Sequence, residues 1–350
     1  ITNDAVTASA GSVSMTASGG SITNNGAVQA NGSNSTVSMT TADSSSGSII
    51  NKAGVSAGNG ITMISDQAID NSNGTTATTV SSTTAGNINM TAGTNIKNDA
   101  VNASAGTLTM TATKSIENTG DVSAKSNVNM SAATGITQSG AVESTNGSVN
   151  LESTGTGNVA VKGNVTSGSR TSITAGTGSV TVGTDATAST INAGSSINLG
   201  TTTGNITLYG TATSKTGVTL QASTSGNVTV QGALKTADSE GTSVGRIQVL
   251  TTSGDIKVSK AQSQTDPVIA SSESVNVNSS SGDVEVTGNI TSTGNTTLRS
   301  STAGHVKLTG DINASTGKTS GGGDIAGDVT IYASDDTTAD NDEGNITIEG

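Results

Sequence analysis

The sequence predicts an all-β chain wound as a right-handed parallel β-helix, and three observations carry that reading. A short strand motif recurs at a fixed interval, single register positions hold one residue type over successive units, and the composition is unsuited to a compact globular core. Triplets of the form aliphatic-x-Asn or aliphatic-x-aliphatic open at Ile1, Ile22, Ile49, Ile69, Ile96, Ile116 and Ile136. They continue at Val159, Val180, Ile206, Val228, Ile256, Val284, Val306 and Ile346. The interval is about 25 residues over fourteen units, within the range that marks a solenoid.

Composition narrows the choice. The 350 residues include no Phe, Trp or Cys and only two Tyr, Tyr209 and Tyr332, and the 31% hydrophobic content is mostly Ala, Val and Ile. The large anchors of a thick core are missing, so two or three ordinary globular domains are not expected. Low hydrophobicity with much Ser, Thr, Asn and Gly is also the signature of disorder, but disordered chains do not space β-branched residues regularly. A single proline, Pro267, leaves strand pairing almost uninterrupted. The absence of cysteine removes disulfides, thiolate metal sites and cysteine nucleophiles together.

Each unit reads as three strands. In residues 96–115, IKNDAVNASAGTLTMTATKS, alternation places Ile96 with Asn98, Val101 with Ala103, and Leu108 with Met110 on one face, with polar neighbours outward. Spacing of two excludes a helical bundle, and the Thr, Val, Gly and Asn content favours strands and turns. A hairpin-built sandwich would not repeat the same chemistry at the same position of every unit, whereas a solenoid stacks those positions directly.

Two columns show such repetition. The third strand carries Met15, Met39, Met63, Met90, Met110 and Met130, all the methionines of the chain, followed by Leu151. The first strand carries Asn3, Asn24, Asn51, Asn71, Asn98 and Asn118, followed by Gln138. Stacked at ~4.8 Å, amides form a hydrogen-bonded ladder and thioethers fill a continuous seam. From Val159 onward the Asn column turns aliphatic, as in Val180-Thr181-Val182 and Ile206-Thr207-Leu208. The expected organisation is one continuous rod, with sub-block 1–135 holding the Asn and Met columns and sub-block 136–350 holding aliphatic columns and longer inserts. Unit lengths run from 20 to 40 residues, the excess lying in Gly/Ser/Thr-rich surface loops. Fourteen turns would give a rod of roughly 65–70 Å, right-handed by the general rule for parallel crossovers.

The segments Gly20-Ser21-Ile22-Thr23-Asn24-Asn25-Gly26-Ala27-Val28-Gln29-Ala30 with Val37-Ser38-Met39-Thr40, and Gly135-Ile136-Thr137-Gln138-Ser139-Gly140-Ala141-Val142, carry a resemblance. Over essentially the whole chain the units resemble those of filamentous haemagglutinin-like exoproteins, large adhesins exported by two-partner secretion in Gram-negative bacteria. The resemblance implies a right-handed β-helix at the cell surface or outside the cell, exported through an outer-membrane transporter. It further implies attachment to host or neighbouring-cell receptors or glycans, or to copies of the chain itself. The family's amino-terminal secretion module is not recognisable, so the chain reads as an interior part of the rod.

Several other chemistries compete with this reading. A β-helical polysaccharide lyase needs convergent carboxylates, a basic residue and usually aromatic subsites; the only histidine, His305, sits at a strand entry beside Val306, where a structural role is expected. The terminal insert offers candidate calcium ligands in Asp335, Asp336, Asp340 and Asp342, near Asp324, Asp328 and Glu343. A solvated acidic loop is the competing reading, since charge runs are usually just that. The Met column is expected to fill space and not to bind copper(I). Sequons such as Asn73-Gly74-Thr75, Asn146-Gly147-Ser148 and Asn295-Thr296-Thr297 are frequent in so Asn- and Thr-rich a chain. Thr-x-Thr rows are too broken by Asn, Ser and Lys for an ice-binding face.

A net charge of −12 and a pI near 4.3 disfavour nucleic-acid or anionic-lipid partners, and no apolar run approaches the ~20 residues of a membrane span. The function expected is therefore a non-catalytic shaft of an adhesin, without a cofactor. The rival reading is a self-assembling fibre or coat protein, since Ile1-Thr2-Asn3 and Ile346-Thr347-Ile348 are the same strand of the unit and unpaired edges continue or join.

Overall fold

The computed structural model describes residues 1–42, 46–72, 77–236, 245–261, 267–314, 317–318, 324–325, 327–334 and 345–349. Among them every regular element is a β-strand, and the protein is an all-β parallel β-solenoid. Contacts divide it into two compact units, Ile1–Ser169 and Arg170–Gly350.

In the first unit each turn contributes three strands to three rows. One turn runs Ile96–Asn98, Ala100–Ala103 and Leu108–Ala112, and the next runs Ser115–Asn118, Val122–Ala124 and Val128–Ala132. Pairing is parallel and in register throughout these turns, with Ile96 opposite Ile116, Val101 opposite Val122 and Leu108 opposite Val128. The connection between rows is only a few residues long, because Gly, Asn, Ser and Asp supply the turn conformations at the corners.

Alternation decides the core. Burial along Leu108–Ala112 and Ile88–Ala92 follows the period of two, with Leu108, Met110, Ile88 and Met90 all at 1% exposure or less. Burying each such side chain contributes roughly 1.5–3 kcal/mol. A one-residue slip would turn this whole set to solvent, so burial also fixes register.

The second unit follows the same plan with aliphatic pairs in the first row, as in Val180–Val182, Val284–Thr287 and Val306–Thr309. Two of its turns depart from three short strands. Ile206–Ser214 and Val228–Thr236 are nine-residue strands that pass through both first and second rows. Ile206–Leu208 pairs with Val180–Val182, and Gly210–Ser214 pairs with Ser189–Ala193. Gly210, at φ +128°, turns the corner in a backbone region open to glycine, so the ladder continues around the bend. One antiparallel pair, Gly317–Lys318 with Asp324–Ile325, lies in the terminal insert.

The register makes a turn removable. Deleting residues 96–115 joins Asn95 to Ile116 and sets Asn118, Val122 and Val128 on Asn71, Val80 and Ile88, the positions now held by Asn98, Val101 and Leu108. The deletion protein is expected to keep its β-type circular dichroism and to stay monodisperse on gel filtration; loss of the β signal or aggregation would contradict the stacking.

Candidate functional site: a buried amide and thioether ladder

The most distinctive constellation is inside the first unit. In its first seven turns the first-row strand ends on an inward amide, and parallel pairing sets those amides one above another. Asn3 Nδ2 donates to Asn24 Oδ1 at 3.0 Å, Asn24 to Asn51 at 2.7 Å, Asn51 to Asn71 at 2.5 Å, Asn71 to Asn98 at 2.7 Å and Asn98 to Asn118 at 2.8 Å. Asn118 donates to Gln138 Oε1 at 3.0 Å. All donors point the same way along the stack, so the amide dipoles align and reinforce one another.

A carboxamide has two N–H groups, and the second also needs an acceptor in a dry interior. The methionine of the same turn supplies it. Asn3, Asn24 and Asn51 Nδ2 lie 3.5, 3.6 and 3.8 Å from the Sδ of Met15, Met39 and Met63. Asn71, Asn98 and Asn118 lie 3.7, 3.5 and 3.5 Å from the Sδ of Met90, Met110 and Met130. The third-row methionines are in register, Met63 opposite Met90 and Met90 opposite Met110, and all face inward.

Both columns end together for a physical reason. Gln138 is one methylene longer than Asn, and its Nε2 reaches the corner carbonyls of Gly120 at 2.9 Å and Gly140 at 3.1 Å. A thioether acceptor is then not needed, and Leu151 stands opposite Met130. Val161 takes the next place in the first row, opposite Gln138. In the second unit the equivalent residues Val182, Leu208, Val230, Val258, Val286 and Leu308 are all buried.

The second unit carries its own ladder on the outside. Ser179, Asn205, Asn227, Asp255, Asp283, His305 and Asn345 immediately precede successive first-row strands, and each follows a glycine. The side chain of each of the first six accepts the backbone N–H of its counterpart one turn on. Asn227 N donates to Asn205 Oδ1 at 2.8 Å, Asp255 N to Asn227 Oδ1 at 2.9 Å, Asp283 N to Asp255 Oδ1 at 3.0 Å and His305 N to Asp283 Oδ1 at 2.7 Å. His305 continues the series through Nδ1, which accepts from Asn345 N at 3.1 Å and so carries no proton in this arrangement. The preceding glycines stack just as closely. A Cβ on Gly254 would lie 2.2 Å from Gly226 O. Buried hydroxyls satisfy those carbonyls, Thr251 Oγ1 donating to Gly226 O at 2.9 Å and Ser279 Oγ to Gly254 O at 2.8 Å.

A shallow groove of about 370 Å³ opens here, lined by Asp283, Glu285, His305, Lys307, Asn345 and Thr347. Its charges pair with neighbours, Lys257 Nζ with Glu285 Oε2 at 3.0 Å and Lys307 Nζ with Glu349 Oε2 at 3.6 Å. Such exposed pairs contribute ~0–1 kcal/mol. Among the described residues no group of three or more His, Cys, Asp or Glu is placed to hold a metal ion. The candidate calcium ligands Asp335, Asp336, Asp340 and Asp342 lie outside the described residues, as does the sequon at Asn73. Asn146 and Asn295 are exposed, and Asn295 Oδ1 accepts from Asp328 N at 3.0 Å. No helix among the described residues is long and apolar enough to cross a membrane.

Comparison of the chain with family models, with curated proteins and with solved structures finds no match.

Sequence reasoning placed the Asn and Met columns but assigned the thioethers to space filling alone. It did not register the strand-entry column, whose signal is the repeated Gly-Ser, Gly-Asn, Gly-Asp or Gly-His step before the first strand.

Two outcomes follow from these bonds. Asn71→Leu leaves the Asn51 amide without its oxygen acceptor and Asn98 Oδ1 without its donor, and at about 1–3 kcal/mol for each buried orphan the loss is about 2–6 kcal/mol. Met90→Leu keeps the volume but removes the acceptor of one Asn71 N–H, so it should cost about 1–3 kcal/mol, less than Asn71→Leu; equal shifts of the two urea midpoints would show that the amides do not bond as described. On the surface, His305→Asn should preserve the protection of the Asn345 amide against hydrogen exchange. His305→Ala should lower it by roughly 0.5–1.5 kcal/mol, or about 2–12-fold.

Proposed function

We propose that this chain is a non-catalytic shaft segment of a large secreted or cell-surface bacterial adhesin that mediates attachment or aggregation. The observation that carries the reading is the stacked, in-register core. Inward positions, turn after turn, are spent on stacking, by aliphatic contact or by the amide and thioether ladder, as a spacer requires. The engagement of His305, Lys257, Glu285, Lys307 and Glu349 with one another or with backbone supports a structural role over a catalytic one. The resemblance of the units to filamentous haemagglutinin-like exoproteins supports the same reading. It extends it to export through an outer-membrane transporter, to the outer surface of a Gram-negative-type bacterium, and to receptors, glycans or copies of itself as partners.

A second reading is end-joining of copies of the chain into a fibre through unpaired strand edges.

In cells that produce the protein, removing the segment is expected to reduce attachment. Replacing it with as many turns of an unrelated solenoid is expected to restore it. Failure of the replacement, with surface display intact, would count against a spacer role, and end-joined filaments of the purified chain in electron micrographs would favour the fibre.

A further inference from the structure

The second unit holds a pocket that the stacking does not require. Its volume is about 380 Å³, and its lining includes Thr184, Asp185, Tyr209, Gln231, Ser259 and Lys260. Tyr209, Gln231 and Ser259 are outward residues of three successive turns, opposite one another in register, so the pocket floor runs along the stack for about 10 Å.

The walls are built by local devices absent from the plain repeat. Gly183, at φ +79°, redirects the chain after Val182 into a tight turn closed by Thr184 N donating to Thr187 O at 2.9 Å and Thr187 N to Thr184 O at 3.1 Å. That turn holds Asp185 at the rim beside Tyr209. A Cβ on Gly183 would lie 2.4 Å from Tyr209 O and 2.9 Å from Tyr209 Cβ, so the wall and the aromatic are fitted together. On the other side Lys260 lies along the backbone at Gly288, where an added Cβ would come within 2.9 Å of its Cε.

One of only two aromatic side chains in the chain therefore sits in a concave site ringed by a carboxylate, an ammonium, a carboxamide and hydroxyls. An aromatic face buries apolar C–H surface, and the surrounding groups supply both donors and acceptors at its edge. That combination suits a pyranose ring, which has an apolar C–H face and a periphery of hydroxyls. The size falls in the range of ligand sites. The opposite charges of Asp185 and Lys260 balance, and the net charge of −12 repels polyanions.

We propose that this pocket is a subsite for a neutral pyranose unit of an oligosaccharide, stacked on Tyr209 and hydrogen-bonded by Gln231, Asp185 and Lys260. The inference deepens the proposed reading, which already counts glycans among the partners, and rests on it for its ligand class; sugar binding by the purified chain tests the site and attachment of cells tests the shaft, so the two failures are distinguishable.

Calorimetric titration of the full chain with cellohexaose, maltohexaose and chitohexaose tests it, with a heparin hexasaccharide as the polyanion. At least one neutral hexasaccharide is expected to bind. Tyr209→Ala should weaken binding about tenfold, Tyr209→Phe should retain most of it, and Gln231→Ala should weaken it several-fold. Should Tyr209→Ala lower the melting temperature, the exposed Gln231→Ala carries the same test. The proposal is overturned if none of the three neutral sugars binds at millimolar concentration, if only heparin binds, or if binding is indifferent to both alanine variants.

Discussion

In-register stacking of like side chains is the constraint on which the rest of the structure depends. Parallel neighbours lie ~4.8 Å apart, close to the repeat a carboxamide needs to bond to its own kind above and below. Aliphatic side chains tolerate small offsets because their contacts are non-directional. An amide does not, since its hydrogen bond needs donor and acceptor roughly 3 Å apart and nearly in line. The Asn column thus converts approximate hydrophobic stacking into a specified register. The methionines complete it by accepting the second amide proton within the buried core.

The two chemistries of the first row show what the ladder contributes. Val182, Leu208 and their successors fill the same position with no polar atom at all. Fully paired polar groups and well-packed aliphatic groups differ little in net stability, whereas a half-satisfied network is costly. The ladder therefore adds specificity more than strength, and it must be kept whole or replaced whole. Gln138 shows how the change is made. Its longer arm delivers the last amide to corner carbonyls and closes the series without an orphaned donor.

Much of this architecture was legible in the sequence because a solenoid writes its contacts as periodicity. The step from Ile96 to Ile116, or from Met90 to Met110, is at once a spacing in the chain and a pairing in space. Coupling across the core was not legible, because Asn98 and Met110 lie on different strands of one turn and nothing in their spacing states that amide and sulfur meet. Corners were hidden for the opposite reason. Gly210 looks like any other turn glycine in a chain with 46 of them, yet it lets Ile206–Ser214 pass from one row to the next without interruption. The candidate calcium ligands belong to an insert outside the periodic register, where repetition carries no information.

The same economy explains where recognition can arise. Residues that face inward are committed to neighbours above and below, so a change there is paid for in stacking; outward residues and inserts carry no such obligation. The turn at Gly183 is such an insert: six residues, 183–188, separate Val182 from Ser189, whereas only Tyr209 separates their register partners Leu208 and Gly210. It costs the core nothing, because Ser189–Ala193 regains register with Gly210–Ser214 directly beyond it. What it adds is a wall beside Tyr209, on a surface otherwise furnished mainly with short polar side chains. A scaffold whose core fixes every turn in register can vary one corner at a time, and it holds the result rigidly enough for a single aromatic ring to act as a binding platform.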